Sequence, residues 1–332
     1  MQLYCSVSEI LDDLDKPGAD EAKTLRNIRD ASRFIAGLFE WPMLPEIATR
    51  SFRGGDGDTL FLRSPLLRVT SLTHLDEALT AGVDFSLEPQ ERWWTGGPYS
   101  RLATLPDGSI GGWADTAGAV EIAGWWGLYD EAISLQLSTV SQLIGASTIE
   151  VSDGSQVSPG MLLKLNDEWE EVTGAAPASA SGATLNGAID ETDEEITLSD
   201  GSLVKTGEVI KINFERMRVL DIAGNDVAVK RAYALTRRAS HLTAAAVYVQ
   251  RSYTVSRGAN GSTAAAHSSA AVYRQVPPGD VNYLCRQIAA LMGIKAGTQF
   301  AGRQGTADGE TFYYNEFPSA IEKIKDKYRF GV

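Results

Sequence analysis

Histidine and cysteine are the scarcest reactive groups in this 332-residue chain: three histidines, His74, His241 and His267, and two cysteines, Cys5 and Cys285. The histidines form no i, i+4 pair and sit in no triad motif, which removes the common zinc and acyl-transfer signatures. Cysteines this few, at opposite ends of the chain, make no disulfide framework and are expected as reduced, partly buried thiols. No apolar run approaches the ~18 residues that a membrane span needs. The N-terminus turns acidic at Glu9, Asp12 and Asp13 instead of basic and then apolar, so no signal peptide is expected. Positive charge is also short: 30 Lys and Arg face 43 Asp and Glu, for a net charge of −13. A protein that grips nucleic acid through its phosphates carries the opposite sign. An acidic wall, however, suits a passage along which DNA must slide.

What is present is patterned in four blocks. Residues 1–45 read as helical: a short helix from Glu9 to Leu14 with Ser8 as its cap, then a longer one from Asp20 to Phe39. The longer helix has an apolar stripe of Leu25, Ile28, Ile35, Leu38 and Phe39, interrupted by Ser32. Residues 46–127 read as short strands between turns rich in Gly, Pro and Asp. From 133 to 275, Ala, Ser, Thr and Gly dominate and the chain repeats itself. Segment 149–172 aligns with 196–219 at an offset of 47, bringing Glu168 onto Glu215. Segment 227–246 aligns with 247–266 at an offset of 20, pairing Arg231 with Arg251 and setting His241 against Gly261. On that pairing the first unit has lost the tight turn of the second. The block is expected to be a β-barrel or sandwich built by duplication. Residues 276–332 return to helix, with Val281, Leu284, Ile288, Leu291 and Met292 as a stripe and Pro318 opening a last helix.

Possible chemistry is thin. The glycine-rich stretches Gly54–Asp58 and Gly302–Gly309 lack the Lys-Ser/Thr of a phosphate loop. Asp56 and Asp58 are too few ligands for a calcium loop. The carboxylates Glu168, Glu170 and Glu171, and those of 191–195, read as a solvated acidic face. The second and third are not kept in the repeat, where Met217 and Arg218 stand. The adjacent pairs Trp93–Trp94 and Trp125–Trp126 place one ring on each face of a strand, which makes Trp94 and Trp126 candidate interface anchors. The last helix carries Lys323, Lys325 and Lys327, followed by Tyr328, Arg329 and Phe330.

Certain segments resemble a known family. Arg50-Ser-Phe, "SPLLRVTSLT" (64–73), "GVDFSLEP" (82–89) and Val120-Glu-Ile-Ala-Gly-Trp-Trp-Gly lie between a helical N-terminus and a helical C-terminus with Phe317-Pro318 and Tyr328-Arg329. In this order they resemble the head–tail connector (adaptor) proteins of tailed bacteriophages, over roughly 1–132 and 276–332. "VKTGEVIKINFERMRV" (204–219) and "YTVSRGANGSTAAAHSSAAVY" (253–273) look like a module that some phage connectors carry. The resemblance implies an α+β protein: a discontinuous helical connector core with short β-strands (1–132 and 276–332) and an inserted all-β, barrel- or sandwich-like domain (133–275). It implies a structural virion protein at the head–tail interface, assembled in the host cytoplasm, which is neither an enzyme nor a carrier of cofactor or metal. Its partners would be copies of itself in a ring of about twelve, the portal, and a stopper or tail protein. Double-stranded DNA would pass through without specific binding, and no membrane is involved. Helices 20–39 and 280–293 would pack between subunits. In that family the C-terminal segment reaches the portal, which makes Lys323, Lys325, Lys327, Tyr328, Arg329 and Phe330 the expected docking residues. A β-rich carbohydrate-binding, adhesion or tail-associated protein is the alternative, suggested by the repeats and by exposed tryptophan; a hydrolase using Glu168 or Glu215 has only composition behind it.

Overall fold

The computed structural model of the chain describes residues 3–13, 20–55, 57–90, 98–295, 303–305, 311–313 and 317–330. The first helix, α1 (Val7–Asp13), is capped by Ser6 and not by Ser8. Ser6 Oγ accepts from the Glu9 N–H at 3.3 Å, and Glu9 Oε2 accepts from the Ser6 N–H at 2.7 Å. This reciprocal capping box follows the Ser-x-x-Glu spacing. Helix α2 (Glu21–Ala36) starts at Asp20, whose carboxylate accepts from the Ala22 and Lys23 N–H groups. Ser32, the interruption in its stripe, is fully buried and accepts from the Tyr4 N–H at 3.2 Å.

Helices α3 (Gly279–Lys295) and α4 (Phe317–Lys327) join these two, so both ends of the chain share one apolar cluster that includes Ile28, Ile35, Leu284, Ala289 and Ile324. Helices α2 and α3 therefore pack on each other inside one subunit, with Ser32 Oγ 3.5 Å from Cys285 Sγ. The faces expected to close a ring between subunits are spent within the chain. No helix among the described residues is long and apolar enough to cross a membrane.

Three antiparallel six-stranded sheets make up most of the rest, beside a two-stranded ladder that pairs Arg303–Gly305 with Thr311–Tyr313. The first contains β1 (Glu46–Phe52), β2 (Thr59–His74), β3 (Glu77–Leu79), β4 (Phe85–Glu88), β5 (Tyr99–Thr104) and β6 (Val120–Trp126), in the order β1-β6-β2-β5-β4 with β3 on β2. The expected helical core with short strands is overturned: 40% of the chain is strand and 20% helix. The 46–127 stretch reads as short strands because the alternation breaks around Ser64–Pro65. In the fold, the register slips there, between Phe61 and Leu66, while β2 runs on through 16 residues. A bulge tolerates the proline that an unbroken ladder would not.

The second and third sheets replace the single barrel or sandwich expected over 133–275. The second holds β7 (Ala132–Gln142), β8 (Thr148–Glu150), β9 (Leu162–Leu165), β10 (Glu168–Ala175), β17 (Ser252–Ser256) and β18 (His267–Gln275), in the order β7-β18-β9-β10-β17-β8. The third holds β11 (Ser179–Thr184), β12 (Glu195–Thr197), β13 (Val209–Ile212), β14 (Glu215–Ala223), β15 (Asp226–Lys230) and β16 (Ala246–Val249), in the order β11-β16-β13-β14-β15-β12. The two orders are the same arrangement. Each sheet has its own core, one around Leu163, Leu165 and Val272, the other around Ile210, Ile212 and Met217.

Strands β7 to β10 map onto β11 to β14 at the offset of 47, whereas β17 and β18 map onto β15 and β16 at an offset of 26. The offset of 20 is a false register. It aligns successive strands that share an alternating pattern, but β15 sits where β17 sits, not where β16 does. One module is therefore threaded into the β10–β17 hairpin of its twin. The repeated Ser-Asp-Gly-Ser has a physical reason in both copies. Asp153 and Asp200 each accept from the N–H two residues on, and a Cβ on Gly154 or Gly201 would stand 1.9 or 2.1 Å from a carbonyl oxygen.

The nesting can be tested by excision. Deleting 177–249 joins Ala176 to Gln250, the counterparts of Ala223 and Gly224 in the inner module's hairpin. With Gln250→Gly and Arg251→Asn supplying its turn, the shortened chain is expected to melt cooperatively. Its midpoint should fall, because the inner module also packs on the helices. A non-cooperative or insoluble product would contradict the nesting.

Candidate functional site

Each module is organised around a buried carboxylate. Glu168 opens β10 and is 2% exposed. It accepts from Arg257 Nε and Nη2, both at 2.6 Å, from the Ala265 N–H at 2.9 Å and the Gly258 N–H at 3.2 Å, and lies 2.8 Å from His267 Nε2. Glu215, the counterpart on β14, is 1% exposed. It accepts from Arg231 Nε and Nη2 at 2.7 Å, the Ala232 N–H at 3.1 Å and the Ala239 N–H at 3.0 Å, with His241 Nε2 at 3.0 Å. Asn166 Nδ2 and Asn213 Nδ2 meet the far ring nitrogens of the two histidines at 3.3 and 3.0 Å. Each imidazole is thus held between the buried carboxylate and an asparagine amide.

Of the carboxylates expected on a solvated face, Glu168 and Glu170 are buried, as is the repeat partner Glu215. Burial by itself raises the Glu168 carboxyl, but Arg257, the two N–H groups and His267 outweigh it and hold the group at about 2. The same balance, with Arg231 and His241, holds Glu215 below its ordinary value. Glu170 goes the other way, pushed up by burial.

Among the described residues, Glu168, Glu170 and His267 are the group whose ligand atoms lie close enough to share a cation, within 4.8 Å. Arg257 already stands there, its Nε 2.6 Å from Glu168 and 2.7 Å from Glu170. The inner copy has Met217 in place of the second carboxylate and keeps the rest. The common element is a carboxylate–guanidinium–imidazole clasp whose chemistry is to fix backbone. His74 likewise serves the fold, accepting from the Ala114 N–H at 3.0 Å.

Each clasp shapes a loop, and each loop grips the body of the protein. In the outer module Gly258, Asn260 and Gly261 have φ of 62°, 51° and 77°; in the inner one Ala232, Ala234 and Leu235 have 56°, 51° and 65°. The tight turn expected to be lost is kept, in left-handed backbone that costs non-glycine residues roughly 1 kcal/mol each. The outer loop lies on the first sheet. Asn260 Nδ2 donates to the Pro45 carbonyl at 2.9 Å, a Cβ on Gly261 would stand 2.2 Å from the Ile47 oxygen, and Trp169 meets Trp125 with ring centroids 4.7 Å apart. The inner loop lies on the helices. Tyr233 and Ala234 are buried in their cluster, Arg216 pairs with Glu21 at 3.0 Å, and Arg218 pairs with Asp12 at 2.8 Å. Ser262 and Thr236 hold the two loops to the same position of their sheets, accepting from the Trp169 and Arg216 N–H groups at 2.9 and 3.1 Å.

The candidate interface residues fall elsewhere. Trp126 is fully buried, donates through Nε1 to the Ala48 carbonyl at 2.9 Å and stacks on Phe52, so it is core and not an outward anchor. Alternation still separates it from Trp125, but the outer module covers the opposite face through Trp169, so both rings are inside. Trp94 lies outside the described residues. The C-terminal residues divide. Lys323 and Arg329 are exposed, and Lys325 faces Glu322 at 3.4 Å. Lys327 Nζ and Tyr328 OH both donate to Asp280, at 2.6 and 2.8 Å. Tyr328 meets Phe39 edge-on at 6.3 Å, and Phe330 packs on the helical cluster. Burial disfavours a charged Asp280, yet Lys327 and Tyr328 outweigh that and hold it below its ordinary value. Tyr328 and Phe330, expected as docking residues, are seated on their own subunit, beside a cavity of about 470 Å³ lined by Leu128, Tyr129 and Pro278.

Compared with protein-family models, curated proteins and solved structures, the chain matches none.

Three outcomes are expected from the site. Glu215→Gln leaves the fully buried Arg231 without its counter-charge and should cost about 3–5 kcal/mol in a denaturant melt; a loss below ~1 kcal/mol would remove the clasp's importance. The Glu168 carboxyl is lower in the folded state than its ordinary 4.5. The stability it contributes is therefore complete above about 4.5 and lost as pH falls towards about 2. Tryptophan fluorescence should report acid unfolding in that window, and Glu168→Gln should flatten the slope; an unchanged slope would count against the assignment. Asp280→Asn should free the tail, read as several-fold faster tryptic cleavage after Lys327, whereas an unchanged rate would mean that Asp280 does not hold it.

Proposed function

We propose that this chain is a structural subunit of a phage head–tail connector. In this reading it forms a ring that joins the portal vertex to a tail or stopper protein and lets duplex DNA pass without gripping it. The observation that carries the reading is where the resembling segments lie. Residues 64–73, 82–89 and 120–127 belong to β2, β4, β6 and their flanks in one sheet, and the resembling chain ends lie in one helical cluster. That cluster reaches the sheet through Leu44 and Leu128. Segments far apart in the chain fall on one body, and the nested modules account for what lies between them.

The role is mechanical, with no catalysis, cofactor or metal. A net charge of −13 per subunit makes any ring strongly acidic, and like charge keeps packaged DNA from adhering to a wall it lines. Lys323 and Arg329 are the tail cations that can meet an acidic neighbouring ring, while Lys327, Tyr328 and Phe330 hold the tail in place behind them. Among the described residues, Trp113, Trp125, Trp126 and Trp169 are buried and Trp41 is half-buried, so none of these offers the exposed ring on which the carbohydrate-binding alternative leaned.

Native mass of the purified chain, alone and mixed with portal, tests the reading. Annular particles of about twelve copies are expected. A lone monomer under both conditions would overturn it. Truncating the tail would remove Ile324 and Phe330 from the core, so charge reversal is the cleaner variant. Lys323→Glu with Arg329→Glu should leave the ring mass intact and abolish portal binding; undiminished binding would refute docking by these cations.

A further inference from the structure

The fold brings the two cysteines together from opposite ends of the chain. Cys5, in the segment before α1, and Cys285, on α3, place their sulfur atoms 3.2 Å apart, and the two residues are 5% and 0% exposed. The segment that carries Cys5 is held from both sides through its neighbour Tyr4. The Tyr4 N–H donates to Ser32 Oγ on α2 at 3.2 Å, and Asn282 Nδ2 on α3 donates to the Tyr4 carbonyl at 2.9 Å. The pair therefore sits at the junction where the N-terminal segment is pressed against α2 and α3, inside the cluster that also receives the inner module's loop. A disulfide needs its sulfurs near 2.05 Å, so closing the bond takes about 1 Å of side-chain movement.

We propose that Cys5 and Cys285 form an oxidation-closable staple: two thiols in a reducing compartment, and one disulfide tying the N-terminal segment to α3 when a low-molecular-mass disulfide is present. The inference concerns the fold and stands or falls apart from the connector reading. One neighbour distinguishes the two thiols: Ser32 Oγ on α2 accepts from the Tyr4 N–H and lies 3.5 Å from Cys285 Sγ, which leaves its hydroxyl proton free to donate to a Cys285 thiolate. Cys285 is thus the attacking thiolate.

With glutathione disulfide as oxidant, the Cys285 thiolate attacks one sulfur and expels a glutathione thiolate. Cys5 then gives up its proton and attacks Cys285 Sγ in the mixed disulfide, expelling the second glutathione. One S–S bond has broken and one has formed. The protein pair has lost two electrons and two protons, and two glutathione thiols carry them away. Cys285 is fully buried, so the mixed disulfide on it forms while the N-terminal segment is lifted. Its return drives the second step.

The test uses the full chain under native conditions with glutathione disulfide, followed by denaturation, alkylation of free thiols and intact mass without reductant. The expected product is a single chain lighter by two hydrogen atoms that takes up no alkyl group, with a melting midpoint several degrees higher that reductant reverses. Under the same treatment Cys5→Ser should stop at one glutathione adduct or remain unreacted. Two alkyl groups on the treated wild type, stable adducts, or disulfide-linked dimers would each overturn the staple. A midpoint that fails to rise would overturn it too.

Discussion

A carboxylate without an exposed oxygen, closed on by one guanidinium, one imidazole and two backbone N–H groups, is the constraint on which each module depends. Such a group is costly to desolvate and stays ionised only where every lone pair has a donor. Glu168 and Glu215 meet that condition with the same types of partner in the same order. The partners come from the chain just beyond β17 or β15, so satisfying the carboxylate forces that chain into one shape. The left-handed residues at Ala232, Ala234 and Leu235 show how strongly, since nothing in their side chains favours that backbone.

The shape so imposed is used twice on different surfaces. On the first sheet the outer loop is flat and small, with Gly261 against the Ile47 backbone and Trp169 beside it. Against the helices the inner loop presents Tyr233 and Ala234 and flanks them with arginines that face Glu21 and Asp12. The clasp is common and the contact chemistry is particular. A duplicated module could therefore settle on a second site by changing a few loop residues while its own core stayed the same. In the proposed connector this matters because the helices from both parts of the chain, residues flanking the first sheet and the inner module's loop all meet in the helical cluster.

Local chemistry was legible in the sequence; long-range partnership was not. The helix over 20–39, the turns and the 47-residue repeat follow from periodicity and turn residues. The large first sheet was hidden because bulges in β2 break the alternation that identifies a strand. The clasp was half visible, since Glu168 repeats as Glu215. The signal that completes it is Arg and His ten residues apart, at Arg231 with His241 and at Arg257 with His267. An alignment that placed Arg231 on Arg251 concealed it, because alternating strands align equally well one strand out of step. The burial of Trp126 was hidden for another reason: alternation says that two rings face opposite ways, not that both faces are covered.

Hydrogen exchange on the two clasp variants tests the central claim most directly, because it reads the loops and their docking surfaces separately. With Glu168→Gln, protection should fall over 257–266 and over β1, while the helices keep theirs. With Glu215→Gln, it should fall over 231–241 and over α1 and α2, while β1 is unchanged. Equal loss in both places from either variant, or no loss at either docking surface, would contradict the account.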